Sequence, residues 1–197
     1  MRASTRRLFV AGPAGRIECA VDSPRRAALG AALIAHPHPL FGGTLDNKVV
    51  QTLARAFVEL GYEAWRPNFR GVGESEGSHD EGRGEVEDLA AVLGRLEFPR
   101  VILAGFSFGA AMQVKLAART TPDKLVLVGP GVTHHELPPV AAGTLLIHGE
   151  EDTTVPLAAV LDWARPQELP VVLVPGADHF FHRKLHVLRA IVCSYCR

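Results

Sequence analysis

The chain has 197 residues, 47% of them hydrophobic, and its 21 basic side chains balance its 21 acidic ones. That length and apolar share suit one domain with a substantial core, spanning residues 1–197. Zero formal charge removes the electrostatic case for a nucleic-acid partner or an anionic membrane surface.

The basic residues near the start, Arg2, Arg6 and Arg7, read as a solvated N-terminus. "LFVAGPAG" after Arg7 is too short and too broken by Gly and Pro for a signal-peptide core. No apolar run reaches the ~18 residues of a transmembrane helix, so the reading is a soluble cytoplasmic protein. Three cysteines are too few for a disulfide scaffold. Cys193 and Cys196 form a CxxC at the C-terminus, where helix-face cysteines are expected rather than a redox pair.

In chain order, residues 7–11 and 17–22 form a strand pair turning at "GPAG". Residues 28–37 form a strand apolar on both faces, as buried parallel strands are. Residues 47–60 place Val49, Leu53, Ala56, Phe57 and Leu60 on one helical face, and Gly61 ends that helix. A strand at 62–68, a glycine-rich loop at 71–84 and a helix over "EVEDLAAVLGRL" follow. Residues 100–106 predict a strand and 108–119 a helix. Two more strands are expected at 124–129 and 143–149, and a helix at 156–164 with Pro156 in its first turn. The last strand is 170–176, and the last helix 181–195. Strands and helices in alternation imply a mostly parallel sheet covered on both faces, an α/β architecture of three layers. Such sheets bind ligands beyond the C-terminal ends of their strands. Functional residues are therefore sought just after strands.

Gly105-Phe106-Ser107-Phe108-Gly109 fits G-x-S-x-G. It stands where a buried strand passes into a helix. A tight turn there exposes the serine hydroxyl, and glycines two positions away avoid collisions with the flanking elements. The following helix directs N–H groups and its positive dipole end at the site. A serine needs a base, and the base an orienting acid. His179 follows the last strand and Asp152 the preceding one, and the order Ser107, Asp152, His179 is the one this arrangement uses. Glu150 and Glu151 are weaker alternatives for the acid. Asp178 can hardly fold back onto the neighbouring His179, and Asp123 lies at the wrong sheet edge. His148 reads as a packed or loop-bonding histidine at a strand end.

The N–H of Phe108 is the expected first donor to an oxyanion. The second should come from "HPHPLFGG" (36–43), where the N–H of His38 is favoured and that of Leu40 is the alternative, since proline has none. His36-x-His38 and His182-x-x-x-His186 have ligand-like spacing, yet no neighbouring cysteine or carboxylate set completes a metal site. His134 and His135 are expected to face solvent.

Taken together, "AHPHPLFGGTLDNKVV" (35–50), "NFRGVGESEG" (68–77), "AGFSFGA" (104–110), "HGEEDTTVP" (148–156) and "ADHFFHRKL" (177–185) resemble the α/β-hydrolase superfamily, most of all its small bacterial serine hydrolases. The resemblance implies the three-layer sandwich, a Ser107–Asp152–His179 triad and no cofactor. Many members carry a lid, but residues 130–142 are too few for a helical cap, so an open site is expected. The glycine-rich loop is then structural, ordered by Arg70 and Glu74. Phe41, Phe106, Phe108 and Phe180 are candidates for an apolar rim, with Phe106 expected in the core and Phe41 and Phe180 against substrate. The expected reaction is hydrolysis of a small carboxylic ester or thioester through an acyl-enzyme. Peptidase or acyltransferase chemistry is the alternative, then a non-catalytic binding module of the same fold. Monomer and homodimer stay open.

Overall fold

The computed structural model describes residues 5–197. Its eight strands are β1 (Thr5–Gly12), β2 (Gly15–Asp22), β3 (Gly30–Ala35), β4 (Tyr62–Pro67), β5 (Val101–Phe106), β6 (Lys124–Val128), β7 (Leu145–Gly149) and β8 (Val171–Val174). They form one sheet in the order β1-β2-β4-β3-β5-β6-β7-β8. β2 is antiparallel to β1 and β4, and every pairing from β4 to β8 is parallel. Five helices pack on it: α1 (Lys48–Glu59), α2 (Arg83–Gly94), α3 (Phe108–Ala117), α4 (Leu157–Ala164) and α5 (Leu185–Cys196). No helix among the described residues is long and apolar enough to cross a membrane.

The central strands alternate between two apolar cores. Ala32, Ile34, Ile102, Ala104, Val126 and Ile147 pack beneath α1 and α5. Leu33, Leu103, Leu125, Leu127 and Leu146 pack beneath α2, α3 and α4. Strands buried on both faces explain why these segments are apolar almost without interruption. α1 starts at an Asn47 cap, whose side chain accepts from the N–H groups of Val49 and Val50, and Gly61 follows its end with φ 92°. α3 is buried nearly all round. Its Gln113 Nε2 donates to the carbonyls of Leu33 (2.9 Å) and Ala104 (3.0 Å), which ties the helix to β3 and β5.

Several expectations need correction. Pro156 is the cap of α4 rather than its first residue. α5 begins at Leu185, because Phe181 (φ 54°) and Arg183 (φ 60°) adopt left-handed backbone that a helix cannot contain. Arg70 does order the glycine-rich loop, bonding Asp88 (2.7 Å) and the Gly84 carbonyl (2.8 Å). The Glu74 side chain does not. Glu18 holds that loop instead, accepting from Asn68 Nδ2 (2.7 Å) and the Glu74 N–H (3.0 Å). Arg2 lies outside the described residues. Arg6 and Arg7 are engaged rather than merely solvated, with Glu63 for Arg6 and with Glu18 and Asp46 for Arg7. Cys193 and Cys196 are free, buried thiols of α5.

His36, directly after β3, joins two of the loops above the sheet. Its Nε2 accepts from the Phe69 N–H at 3.0 Å, and its Nδ1 faces the Pro37 carbonyl at 2.6 Å. A carbonyl only accepts, so the ring proton sits on Nδ1 and the imidazole is neutral. Burial pushes its pKa down to about 4. The unfolded chain then binds the extra proton first as pH falls, and folding loses free energy between the ordinary imidazole pKa of ~6.5 and the lowered value. Urea unfolding at pH 7 and pH 5 should therefore show a fall of about 2 kcal/mol from this group. A His36→Asn variant, less stable at pH 7, should show a correspondingly flatter dependence; an equal slope in both proteins would contradict the assignment.

Candidate active site

Three side chains from three loops meet at the C-terminal ends of β5, β7 and β8. Ser107 sits between β5 and α3 with φ 56° and ψ −118°, a sparsely populated conformation costing roughly 1–3 kcal/mol. A Cβ at Gly105 would lie 2.5 Å from the Gly109 carbonyl oxygen, and one at Gly109 would lie 2.3 Å from that of Ala35. Both distances are far inside contact, so glycine is required at each position.

His179 Nε2 is 3.0 Å from Ser107 Oγ, and its Nδ1 is 2.7 Å from Asp152 Oδ2. The carboxylate faces Nδ1, which places the ring proton there and leaves Nε2 to accept from the serine hydroxyl. Asp152 Oδ1 accepts from the N–H groups of Thr154 (2.9 Å) and Val155 (2.8 Å). Asp152 and His179 are both buried. Burial alone would raise the Asp152 pKa, but the hydrogen bonds from His179 and Val155 outweigh it and hold the carboxyl below its ordinary range. The carboxylate therefore stays charged beside the imidazole.

The other carboxylates are occupied elsewhere. Glu150 accepts from the Gly176 N–H (2.8 Å), and Glu151 is exposed. Asp178 accepts from both the His182 N–H and its ring. Asp123 accepts from the Val101 N–H at the opposite sheet edge. Among the described residues no group of three or more His, Cys, Asp or Glu is arranged to hold a metal ion.

This arrangement has close relatives. Residues 42–149 match the model of the family described as Serine aminopeptidase, S33. An α/β serine hydrolase without a lid from Xanthomonas campestris is 38% identical, with a TM-score of 0.90 over 100% of this chain and 95% of that one. The chain belongs to the α/β serine hydrolases without a lid. An α/β serine hydrolase homologue from Coxiella burnetii is 37% identical, with a TM-score of 0.87 over 98% of this chain and 97% of its own. An uncharacterized protein of Rickettsia prowazekii (strain Madrid E) is 33% identical over 95% of this chain and 87% of that protein.

In this hydrolase, residues 130–142 contain no helix, and nothing caps the site from that connection. A cleft of about 130 Å³ opens at Ser107, lined by Pro37, His38, Phe41, Gly42, Gly43, Asn47, Thr154, His179 and Phe180. The loop after β3 forms one wall. His38 caps a single 3-10 turn over Pro39–Phe41, its Nδ1 accepting from the Leu40 N–H at 3.2 Å. That bond occupies the Leu40 amide, and Leu40 does not line the cleft. A larger groove of about 1100 Å³, beside α1, contains none of Ser107, Asp152 or His179.

Phe41 is 87% exposed and Phe180 44%, so both stand at the rim. Phe106 and Phe108 are core. Phe108 is ringed by His38, Phe69, His79 and His135, with centroids 4.8–5.7 Å away. His134 is exposed as expected, but His135 is not: it packs on Phe108, and burial pushes its pKa down to about 4. The packing of His79 and His135 had no signal in the sequence, since both come from loops without periodicity.

Gly109→Ala tests the turn. The added methyl meets backbone carbonyls at the end of β3, so the variant should lose about 3 kcal/mol on thermal unfolding. Its Ser107 should also label far more slowly with a fluorophosphonate. Native stability and labelling in this variant would refute the close-packing account.

Proposed function

We propose that the protein hydrolyses short-chain carboxylic esters or thioesters through a Ser107 acyl-enzyme. The observation that supports this reading above all is the unbroken hydrogen-bonded series Ser107–His179–Asp152. His179 accepts the Ser107 proton as the oxygen attacks the carbonyl carbon, then donates it to the leaving group. Water repeats the sequence and releases the acid. Asp152 remains ionised, holds the ring with its proton on Nδ1 and stabilises the imidazolium.

The N–H groups of Phe108 and His38 are the oxyanion donors in this reading. Neither donates to another group among the described residues, and Phe108 heads α3, where helical N–H groups lack partners. The Leu40 amide, bound to His38, serves only to shape the loop. Losing one such donor raises the barrier by ~3 kcal/mol.

The cleft sets the substrate size. Its volume is about 130 Å³, on the scale of a short acyl group rather than a long chain. An acetyl to butyryl group fills it, and longer chains must lie on Phe41 and Phe180. The family name includes an aminopeptidase, which needs a carboxylate to hold the substrate's ammonium. None of the residues lining the cleft is acidic, which favours the ester over the peptide. No cofactor enters this mechanism.

With p-nitrophenyl acetate or butyrate, Ser107→Ala should reduce turnover by ~10⁴–10⁶. Equal rates for wild type and variant would end the proposal. Across p-nitrophenyl esters, kcat/KM should stop rising beyond four carbons. Phe41→Ala should raise KM for octanoate a few-fold and leave that for acetate alone; an unchanged octanoate KM would remove Phe41 from the substrate path.

A further inference from the structure

His148, the fourth residue of β7, is wholly buried. It takes no part in the proton transfer just described. Its Nε2 is 3.0 Å from the Val155 carbonyl and 3.7 Å from Asp152 Oδ2. Its Nδ1 is buried without a hydrogen-bond partner. The carbonyl can only accept, so Nε2 carries the proton and Nδ1 is a bare lone pair. Leaving that lone pair unsatisfied costs free energy, which is tolerated where the same ring makes a more valuable contact.

Two bonds brace the turn over residues 152–155 from opposite sides. The Val155 N–H donates into Asp152 Oδ1, and the Val155 carbonyl receives His148 Nε2–H. The His148 Nε2 also lies 3.7 Å from Oδ2, the oxygen that receives His179, too far for a hydrogen bond but near enough for its N–H dipole to act on the carboxylate charge. Each Asp152 oxygen is therefore flanked by donors on fixed elements.

We propose that His148 is a positioning residue: its Nε2–H, held between the Val155 carbonyl and the Asp152 carboxylate, locks the 152–155 turn and sets the orientation and charge that Asp152 offers to His179. The inference rests on the Ser107–His179–Asp152 reading above and adds a fourth group to it. The titratable groups acting on His148 are Asp152, from the loop after β7, and His179, from the loop after β8. Burial outweighs the attraction of Asp152 and keeps the imidazole neutral.

His148→Phe keeps the ring shape and removes the donor. Without the N–H, Asp152 acts more strongly on His179, and the imidazolium is favoured. The acid limb of kcat/KM for p-nitrophenyl acetate should move to higher pH. kcat should fall about 10-fold, with KM nearly unchanged because His148 does not line the cleft. The low-field ring-proton resonance of His179 should shift as well, a readout that needs no substrate. His148→Gln, whose amide places an N–H near the same point, should restore the profile. A purely structural role would lower thermal stability and leave the pH limb and the resonance of the folded fraction in place. That outcome in His148→Phe, or failure of His148→Gln to rescue a shifted limb, overturns the proposal. If His148→Phe does not fold, His148→Leu, which also lacks the donor, takes its place: an unchanged limb and His179 resonance in its folded fraction refute the proposal, and a shifted limb that His148→Gln restores upholds it. Wild-type protein inactive on every ester, yet with the His179 resonance moved by His148→Phe, would sink the ester reading and spare this one.

Discussion

The approach of α3 to the end of β3 governs the geometry above the sheet. Gly109 lies against the Ala35 and His36 carbonyls so closely that no side chain fits between them. That contact brings the free N–H groups at the head of the helix beside the loop that leaves β3. Beside it, Ser107 takes up a positive φ of 56° at the strand-to-helix turn.

Burial opposes charge on every ionisable group around this turn, and hydrogen bonding decides which group keeps it. Imidazoles such as His36 and His135 are driven toward neutrality, because no carboxylate replaces the water they lose. Asp152 is also buried, but donors from His179, Thr154 and Val155 replace its hydration and it stays charged. Its negative charge lies against the His179 ring, 2.7 Å from Nδ1. Neutral histidines nearby do not compete for it.

Openness follows from a short connection. Between β6 and β7 the chain crosses without a helix, so no cap buries the mouth. Phe41 and Phe180 remain exposed beside a cleft of only 130 Å³. The two rings give the mouth of that cleft an apolar rim open to solvent.

The strand and helix order was legible in the amino-acid sequence because burial on both sheet faces imposes continuous apolar runs on strands and one-sided stripes on helices. Ser107, Asp152 and His179 were legible for a related reason: each directly follows a strand, and the C-terminal ends of parallel strands lie on one edge. Contacts between loops were not, since loop sequences have no period to reveal their neighbours. Glu18 bracing the glycine-rich loop, His135 packing on Phe108, the late start of α5 and the His148 contact with Asp152 all depend on how separate segments meet in space. Local sequence determined which residues stand at the catalytic edge; tertiary packing alone decided their distances, their protonation and which neighbouring amides remained free.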